Sequence, residues 1–356
     1  MNRTIRMTSL ALGLTLPALL AGVLLPANIG AQEEIRLSGQ EVAVYNLAGR
    51  VDIVAGGGDE VVVQVMRGGD DGRELTLDVI RVDGREALVV RYPEGRVVYP
   101  EMGRGSRTQV RIRDDGTFGG SAGRGGQEVD IRGSGRGLEA WADLRISLPS
   151  GKDMAVFLAA GETEAEGVEA DLFIDTGSGA VSARNLTGNL EVDTGSGQVV
   201  VEGIRGNLRV DTGSGGVEIS GVEGDLVTVD TGSGGVRARG VTASGIEVDT
   251  GSGDVTLAGV SAPGVFVDTG SGRVEVGLLQ DVDELVVDTG SGSVLIRLPE
   301  GIGAEIEAET GSGGIEVDIP LEIRKVERNH IQGVLGDGRG RISIDTGSGG
   351  IRLVGG

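Results

Sequence analysis

Apolar and variable positions alternate along the second half of the chain, always around the phrase Asp-Thr-Gly-Ser-Gly. The phrase begins at Asp175, Asp193, Asp211, Asp230, Asp249, Asp268, Asp288 and Asp345, and Glu309 opens a further copy, Glu309-Thr310-Gly311-Ser312-Gly313. In chain order the starts are 18, 18, 19, 19, 19, 20, 21 and 36 residues apart. Three residues before the acidic residue lie Leu172, Leu190, Leu208, Val227, Ile246, Val265, Leu285, Ile306 and Ile342, and one before it lie Ile174, Val192, Val210, Val229, Val248, Val267, Val287, Ala308 and Ile344. The residue between them is tolerant, running from Phe173 to Glu191 to Arg209. Six and eight residues after the acidic residue the alternation resumes, as in Val181 and Ala183, Val199 and Val201, or Ile351 and Leu353. A period of two on both sides predicts a half-buried strand before and after each phrase, with the phrase as the corner joining them.

Two strands and two turns in about 19 residues leave no room for a helical crossover between parallel strands. The pattern therefore predicts an all-β chain folded as a parallel β-solenoid (β-helix), with two short strands per coil of about 19 residues. Four or five inward aliphatic side chains, at roughly 1.5–3 kcal/mol each, do not offset roughly 1–2 kcal/mol of backbone entropy for every residue fixed. No coil folds alone, and the stack is the folding unit. Within it Asp175, Asp193, Asp211, Asp230, Asp249, Asp268, Asp288, Glu309 and Asp345 are read as a structural turn ladder. Asp is expected to accept backbone N–H groups two residues on as an Asx-turn, Gly to supply positive φ, and Thr and Ser hydroxyls to bond along the stack.

Taken in order, residues 1–31 read as a signal peptide: Arg3 and Arg6, a mostly apolar Met7–Leu25, then Ile29-Gly30-Ala31 before Gln32. An uncleaved anchor is the alternative, the run being near spanning length. Residues 32–150 read as an N-terminal β region with degenerate coils, Asn46-Leu47-Ala48-Gly49 standing where a corner would, and a hairpin around Asp83-Gly84. It carries a Gly/Arg-rich insertion, 95–137, with 12 glycines and 8 arginines against five acids. That composition predicts a solvated segment or a binding loop, with a strand over Thr108–Arg113. Residues 151–356 form the regular array. The stretch Ile319–Gly340 is an unmarked coil or an extruded loop, and the terminal strand Ile351–Gly356 is an exposed edge suited to weak end-to-end self-association.

Val44-Tyr45-Asn46-Leu47-Ala48-Gly49-Arg50-Val51-Asp52-Ile53, the entry Ile146-Ser147-Leu148-Pro149-Ser150-Gly151, the Thr-Gly-Ser-Gly corners and the closing Gly336-Asp337-Gly338-Arg339-Gly340-Arg341-Ile342-Ser343-Ile344-Asp345 carry a family likeness. On these motifs the chain, from about residue 40 to 356, resembles the bacterial putative-adhesin family of β-strand-repeat domains, a domain of unknown function. The resemblance implies a parallel β-solenoid in an envelope or secreted protein. The Arg- and Gly-rich insertion departs from that family's compact pattern.

Charge and chemistry narrow the function. The formal net charge is −22, and loss of Arg3 and Arg6 with a signal peptide moves it to −24. Such a surface disfavours nucleic acid and anionic lipid, and suits cations or cationic ligands. With no cysteine there is no disulfide framework and no lipid-attachment thiol. Asp-Thr-Gly-Ser after two apolar residues looks like the catalytic loop of pepsin-like proteases, but those need two aspartates sharing one proton, and a row of equal motifs singles out no pair. Calcium is an alternative for the carboxylate column, although the alternating Gly-Gly-x-Gly-x-Asp pattern is absent and each coil supplies one Asp. A β-helical polysaccharide-active enzyme is the third reading. Against it stand eight aromatic residues, of which Phe157, Phe173 and Phe266 fall in the array, and a single histidine, His330. The sequence thus predicts a non-enzymatic exported scaffold, an adhesin or envelope-interaction protein. It is expected to be secreted or periplasmic, with no catalytic residue, cofactor or metal, an unknown surface or envelope ligand, no nucleic acid, and no membrane span after signal removal.

Overall fold

The computed structural model describes residues 33–119 and 126–356, so the signal segment and part of the Arg/Gly-rich insertion lie outside the described residues. Almost all regular structure is strand, in sheets of 15, 14 and 4 strands. The two large sheets are the two sides of one stack. Each coil gives one strand to the first, such as Leu190–Ser196, and the next, Val199–Arg205, to the second. Neighbouring coils run parallel and in register: Leu172 pairs with Leu190, Leu190 with Leu208, and Asp175 with Asp193 and then Asp211. The aliphatic columns read from the sequence thus become continuous buried rows between the sheets. The chain is an all-β, parallel β-solenoid of two strands per coil, left open at both ends.

The first coil of this stack comes from far upstream. Glu41–Ala48 and Val51–Gly56 pair parallel with Asp153–Ala160 and Thr163–Glu166. The register places Asn46 beside Leu158, in the column that holds Thr176 one coil later, while Tyr45 and Phe157 stand where the acidic residue would be. Between the first two coils the chain makes its excursion. Thr76–Val82 and Arg85–Arg91 form the antiparallel hairpin, turning through Asp83 and Gly84 with φ of 48° and 89°, and it borders the first coil.

The described part of the insertion is not loose chain. Arg96–Val98, Arg107–Ile112, Gln127–Arg132 and Leu138–Glu139 make the small sheet. Val97, Tyr99, Phe118, Val129 and Ile131 are buried. Some of its arginines are held at home, Arg107 and Arg132 both reaching Asp130 at 2.6 Å. A few apolar anchors spaced among glycines suffice, because they dock on a sheet that already exists.

The other end departs further from expectation. Ile351–Gly355 is not an edge: it pairs with Val294–Leu298 on one side and with Ile315–Asp318 on the other. Its companion Gly340–Thr346 likewise lies between Glu284–Thr289 and Ala304–Thr310. The last coil of the chain is therefore wedged between the two before it. Ile319–Gly340 is neither an unmarked coil nor an extruded loop. Glu322–Val326 and His330–Leu335 form a hairpin whose second strand runs antiparallel along Ala304–Thr310 and closes that sheet. The edges at this end are Ile315–Asp318 and Glu322–Val326, the latter exposed throughout and carrying Glu322, Arg324 and Lys325. Charges on an edge strand oppose pairing with another chain.

Candidate functional site: the ladder face

The alternation that buries Leu190 and Val192 continues through the phrase, so Thr194 points inward and Asp193 outward. Every phrase threonine from Thr176 to Thr346 is buried. From Thr231 onward each donates its Oγ1 hydroxyl to a glycine carbonyl of an adjoining coil: Thr231 to Gly215 at 3.4 Å, Thr250 to Gly234 at 3.2 Å, Thr346 to Gly292 at 3.0 Å. Thr212, Thr231 and Thr310 also accept the N–H of the glycine three residues on, at 2.9–3.0 Å. At these three corners threonine takes the turn amide, whereas the buried hydroxyls of Thr176 and Thr194 have no partner among the described residues. This corrects the Asx-turn expectation at Asp211, Asp230 and Glu309: the side chain on the inner side of the sheet, and not the acidic one, takes the turn amide. Replacing Thr231 by Val leaves the Gly234 amide and the Gly215 carbonyl unpaired in a buried corner. A loss of about 1–3 kcal/mol is expected in a denaturant titration. Asp230→Asn on the same coil is expected to lose nothing.

What remains of the predicted turn ladder is a row of carboxylates. Asp175, Asp193, Asp211, Asp230, Asp249, Asp268 and Asp288 stand in register, followed in space by Asp345 and then Glu309. Asp175 and Asp211 are half-buried and the others exposed. Ion pairs on this face, such as Arg209 with Glu191 at 3.7 Å, bypass the row. Among the described residues no basic group lies within 4 Å of Asp193, Asp211, Asp230, Asp249, Asp268 or Asp288. Burial, then the neighbouring Asp268 and Asp230, push the Asp249 carboxyl above its ordinary range; burial, then Asp211 and Glu191, do the same to Asp193.

A carboxyl whose folded pKa is raised is protonated more readily in the folded state, so its penalty on stability is present at neutral pH and relieved on acidification through the raised pKa. Asp249→Asn is therefore expected to stabilise the chain at pH 7 by about 0.5 kcal/mol, the screened Coulomb scale for exposed neighbours. In melting curves the gain should shrink as pH falls toward the carboxylate range or as salt rises. A gain that is constant across pH would show the effect to be unrelated to charge.

Beside the ladder the face is mixed, apolar at Phe266 and Val286 and charged at Arg209 and Glu247. A groove of about 480 Å³ is lined by Thr228, Phe266, Val286, Asp230, Asp249 and Asp268. At Arg209 and Thr228 it meets a second groove of about 430 Å³ that includes Phe173 and Leu226. Phe266 and Leu226 are 39% and 42% exposed, and each leans over a glycine, Gly264 and Gly245, whose missing side chain leaves a flat bed. At its upstream end the face is covered. Tyr45 and Phe157 stack with centroids 4.4 Å apart, Phe118 from the insertion meets Tyr45 edge-on at 5.9 Å, and Gly119 packs against Phe157 and Asp175.

The carboxylates stand in single file on one face, with no facing pair to share a proton as an aspartic protease requires. Among the described residues no three acidic or histidine side chains converge as ligands around one point. The lone histidine lies at the edge hairpin, where Lys325 Nζ donates to its Nδ1 at 3.1 Å and Glu307 Oε1 is 3.2 Å from Nε2. Sequence reasoning missed the apolar strip because the position between the two buried rows varies from coil to coil and carries no period of its own. Leu226, Phe266 and Val286, all within three coils of one another, were the available signal.

The family model described as Toastrack DUF4097 matches residues 142–354, more than half of the chain. The chain belongs to the Toastrack family. The Toastrack match takes in the whole ladder from Asp175 to Asp345 and begins one residue after Trp141, leaving the first coil, the hairpin and the whole insertion outside. No curated protein matches the chain. A solved structure of a putative cell adhesion protein from Clostridium sporogenes ATCC 15579 shares 12% identity, covering 91% of this chain and 100% of that one, with a TM-score of 0.19, a likeness too slight to bear on function.

Proposed function

We propose that this Toastrack chain is a non-enzymatic, exported scaffold of the cell envelope, an adhesin-like protein that engages a cationic partner along its ladder face. The observation that carries the reading is the row of carboxylates from Asp193 to Asp288, without basic partners among the described residues, beside the exposed Leu226 and Phe266 and the half-buried Val286. A row of nine coils at about 4.8 Å each extends roughly 40 Å, long enough for an elongated basic segment to lie along the stack. Negative potential steers such a partner to the face, and the apolar strip holds it once docked. Export rests on the signal-like residues 1–31.

The test is titration of the mature chain with a labelled synthetic peptide of alternating lysine and valine. Binding is expected to weaken steeply with salt and to fall at least tenfold in Phe266→Ala and in a combined Asp249→Lys, Asp268→Lys variant. Substitutions on the opposite sheet, such as Glu218→Gln, should leave it unchanged. Equal affinity in all variants, or affinity for spermine or calcium ions equal to that for the peptide, would overturn the reading.

A further inference from the structure

The wedged terminal coil is a complete unit of the stack. Residues 340–355 repeat the Asp-Thr-Gly-Ser-Gly phrase and bury Ile342, Ile344, Ile351 and Leu353. Both neighbours of this coil come from earlier in the chain, one from 284–298 and the other from 304–318. Those two coils are consecutive in sequence but are held one coil apart, so the link 299–303 climbs two spacings, about 10 Å. The slot between them has backbone partners on both walls. Gly347 N–H donates to Thr289 O at 3.0 Å and Arg341 N–H to Asp283 O at 3.0 Å. On the other wall Gly311 N–H donates to Thr346 O and Ile351 N–H to Gly314 O, both at 2.9 Å.

The coil reaches this slot from the edge hairpin through Gly336-Asp337-Gly338-Arg339, which crosses the start of Ala304–Thr310. Gly336 and Gly338 turn there with φ of 56° and 68°. The hinge is short, and the segment beyond it is held almost wholly by the slot: its backbone pairs with the two walls, and Arg352 reaches Glu316 and Asp318 on one of them. An identical segment from another molecule would fit the same walls with the same partners.

We propose that this coil is exchangeable between copies: residues 340–356 of one chain fill the slot of a second, and the second returns its own, giving a reciprocal dimer. Exchange replaces each hydrogen bond and each buried aliphatic pair by an identical one, so the balance between closed monomer and exchanged dimer is set by the hinge and by concentration. A short hinge keeps its own coil at millimolar effective concentration, which favours the monomer in dilute solution. Refolding at high concentration, before each slot has closed on its own coil, favours exchange.

The chain has no cysteine, so a designed pair reports which coil occupies the slot. Ser291 and Ser348 are exposed on adjoining coils, aligned through the pairing of Thr289 with Thr346, and a spacing of about 4.8 Å lies within disulfide reach. The full-length mature chain carrying Ser291→Cys and Ser348→Cys is unfolded, refolded at low and high protein concentration, and oxidised. The expected result is a cross-link within one chain at low concentration and a covalent dimer whose share rises with concentration. Adding Gly336→Ala and Gly338→Ala penalises the tight hinge and is expected to raise the dimer share about tenfold. Cross-links confined to single chains at every concentration overturn the proposal. If the cysteine variant does not refold, two differently tagged copies of the native sequence decide the matter. Exchange gives mixed dimers when the copies are mixed before refolding and none when they are mixed afterwards; pairing of outer edges gives them in both cases, and that result, or no mixed dimer, overturns the proposal.

Discussion

Gly234→Ala is expected to lose about 4 kcal/mol or more and to open the stack around it. A Cβ at Gly234 would sit 1.7 Å from the carbonyl oxygen of Gly215 on the preceding coil, where approaches under 3.0 Å are essentially never seen. To admit a methyl group the coils must part by roughly 1 Å or more, given ordinary carbon–oxygen separations. That distance stretches Gly232 N–H to Thr212 O and Val217 N–H to Gly235 O, now both 3.0 Å, beyond bonding range. At about 1 kcal/mol for each lost bond, with a packing gap added, the total reaches the range reserved for severe mutations. Gly216→Ala is the control: its Cβ would lie no nearer than 3.8 Å to anything, and the melting temperature is expected to stay nearly unchanged. Comparable losses in both variants would mean that glycine is needed here for its backbone conformation and not for the close approach of coils.

The buried rows were legible because a period of two, repeated at fixed spacing, determines both the faces and the register. Leu190 over Leu208, or Val199 over Val217, follows from the alignment of phrases alone. The same parity, carried two residues further, assigns Thr194 inside and Asp193 outside. Treating the phrase as a turn motif with its own rules hides that, since Asp and Thr both bond to turn amides. The Arg/Gly-rich insertion defeats a compositional reading because its composition is that of a solvated segment, while its folding depends on a few isolated residues, Tyr99, Phe118 and Ile131, meeting a surface supplied by distant coils. The place of the last coil left no trace in the local pattern. Ile342 and Ile344 carry the same marks whether their neighbours are the preceding coil or the two they separate. Only the 36-residue gap before Asp345 set that copy apart.

Removing residues 336–356 should therefore do more than trim one coil. The deleted coil buries Ile342, Ile344, Ile351 and Leu353, worth roughly 6–12 kcal/mol by transfer scales. Its loss also strips Ala304–Thr310 and Ile315–Asp318 of their parallel partners. The edge hairpin cannot hold these strands, since its buried contribution is Ile331 and Leu335 alone. In a stack built strictly in chain order, the shortened chain would resist protease up to its new terminus. With the terminal coil wedged inside, cleavage is expected throughout 299–335, leaving a resistant core that ends near Leu298, as mass spectrometry of a limited digest would read. The inner array keeps its own pairs and should melt almost as before, because nearest-neighbour terms dominate a repeat stack. A truncated chain protected through Leu335 would show that the two separated coils close the gap and pair directly, and that the terminal coil is an addition to the stack and not the piece that holds its end together.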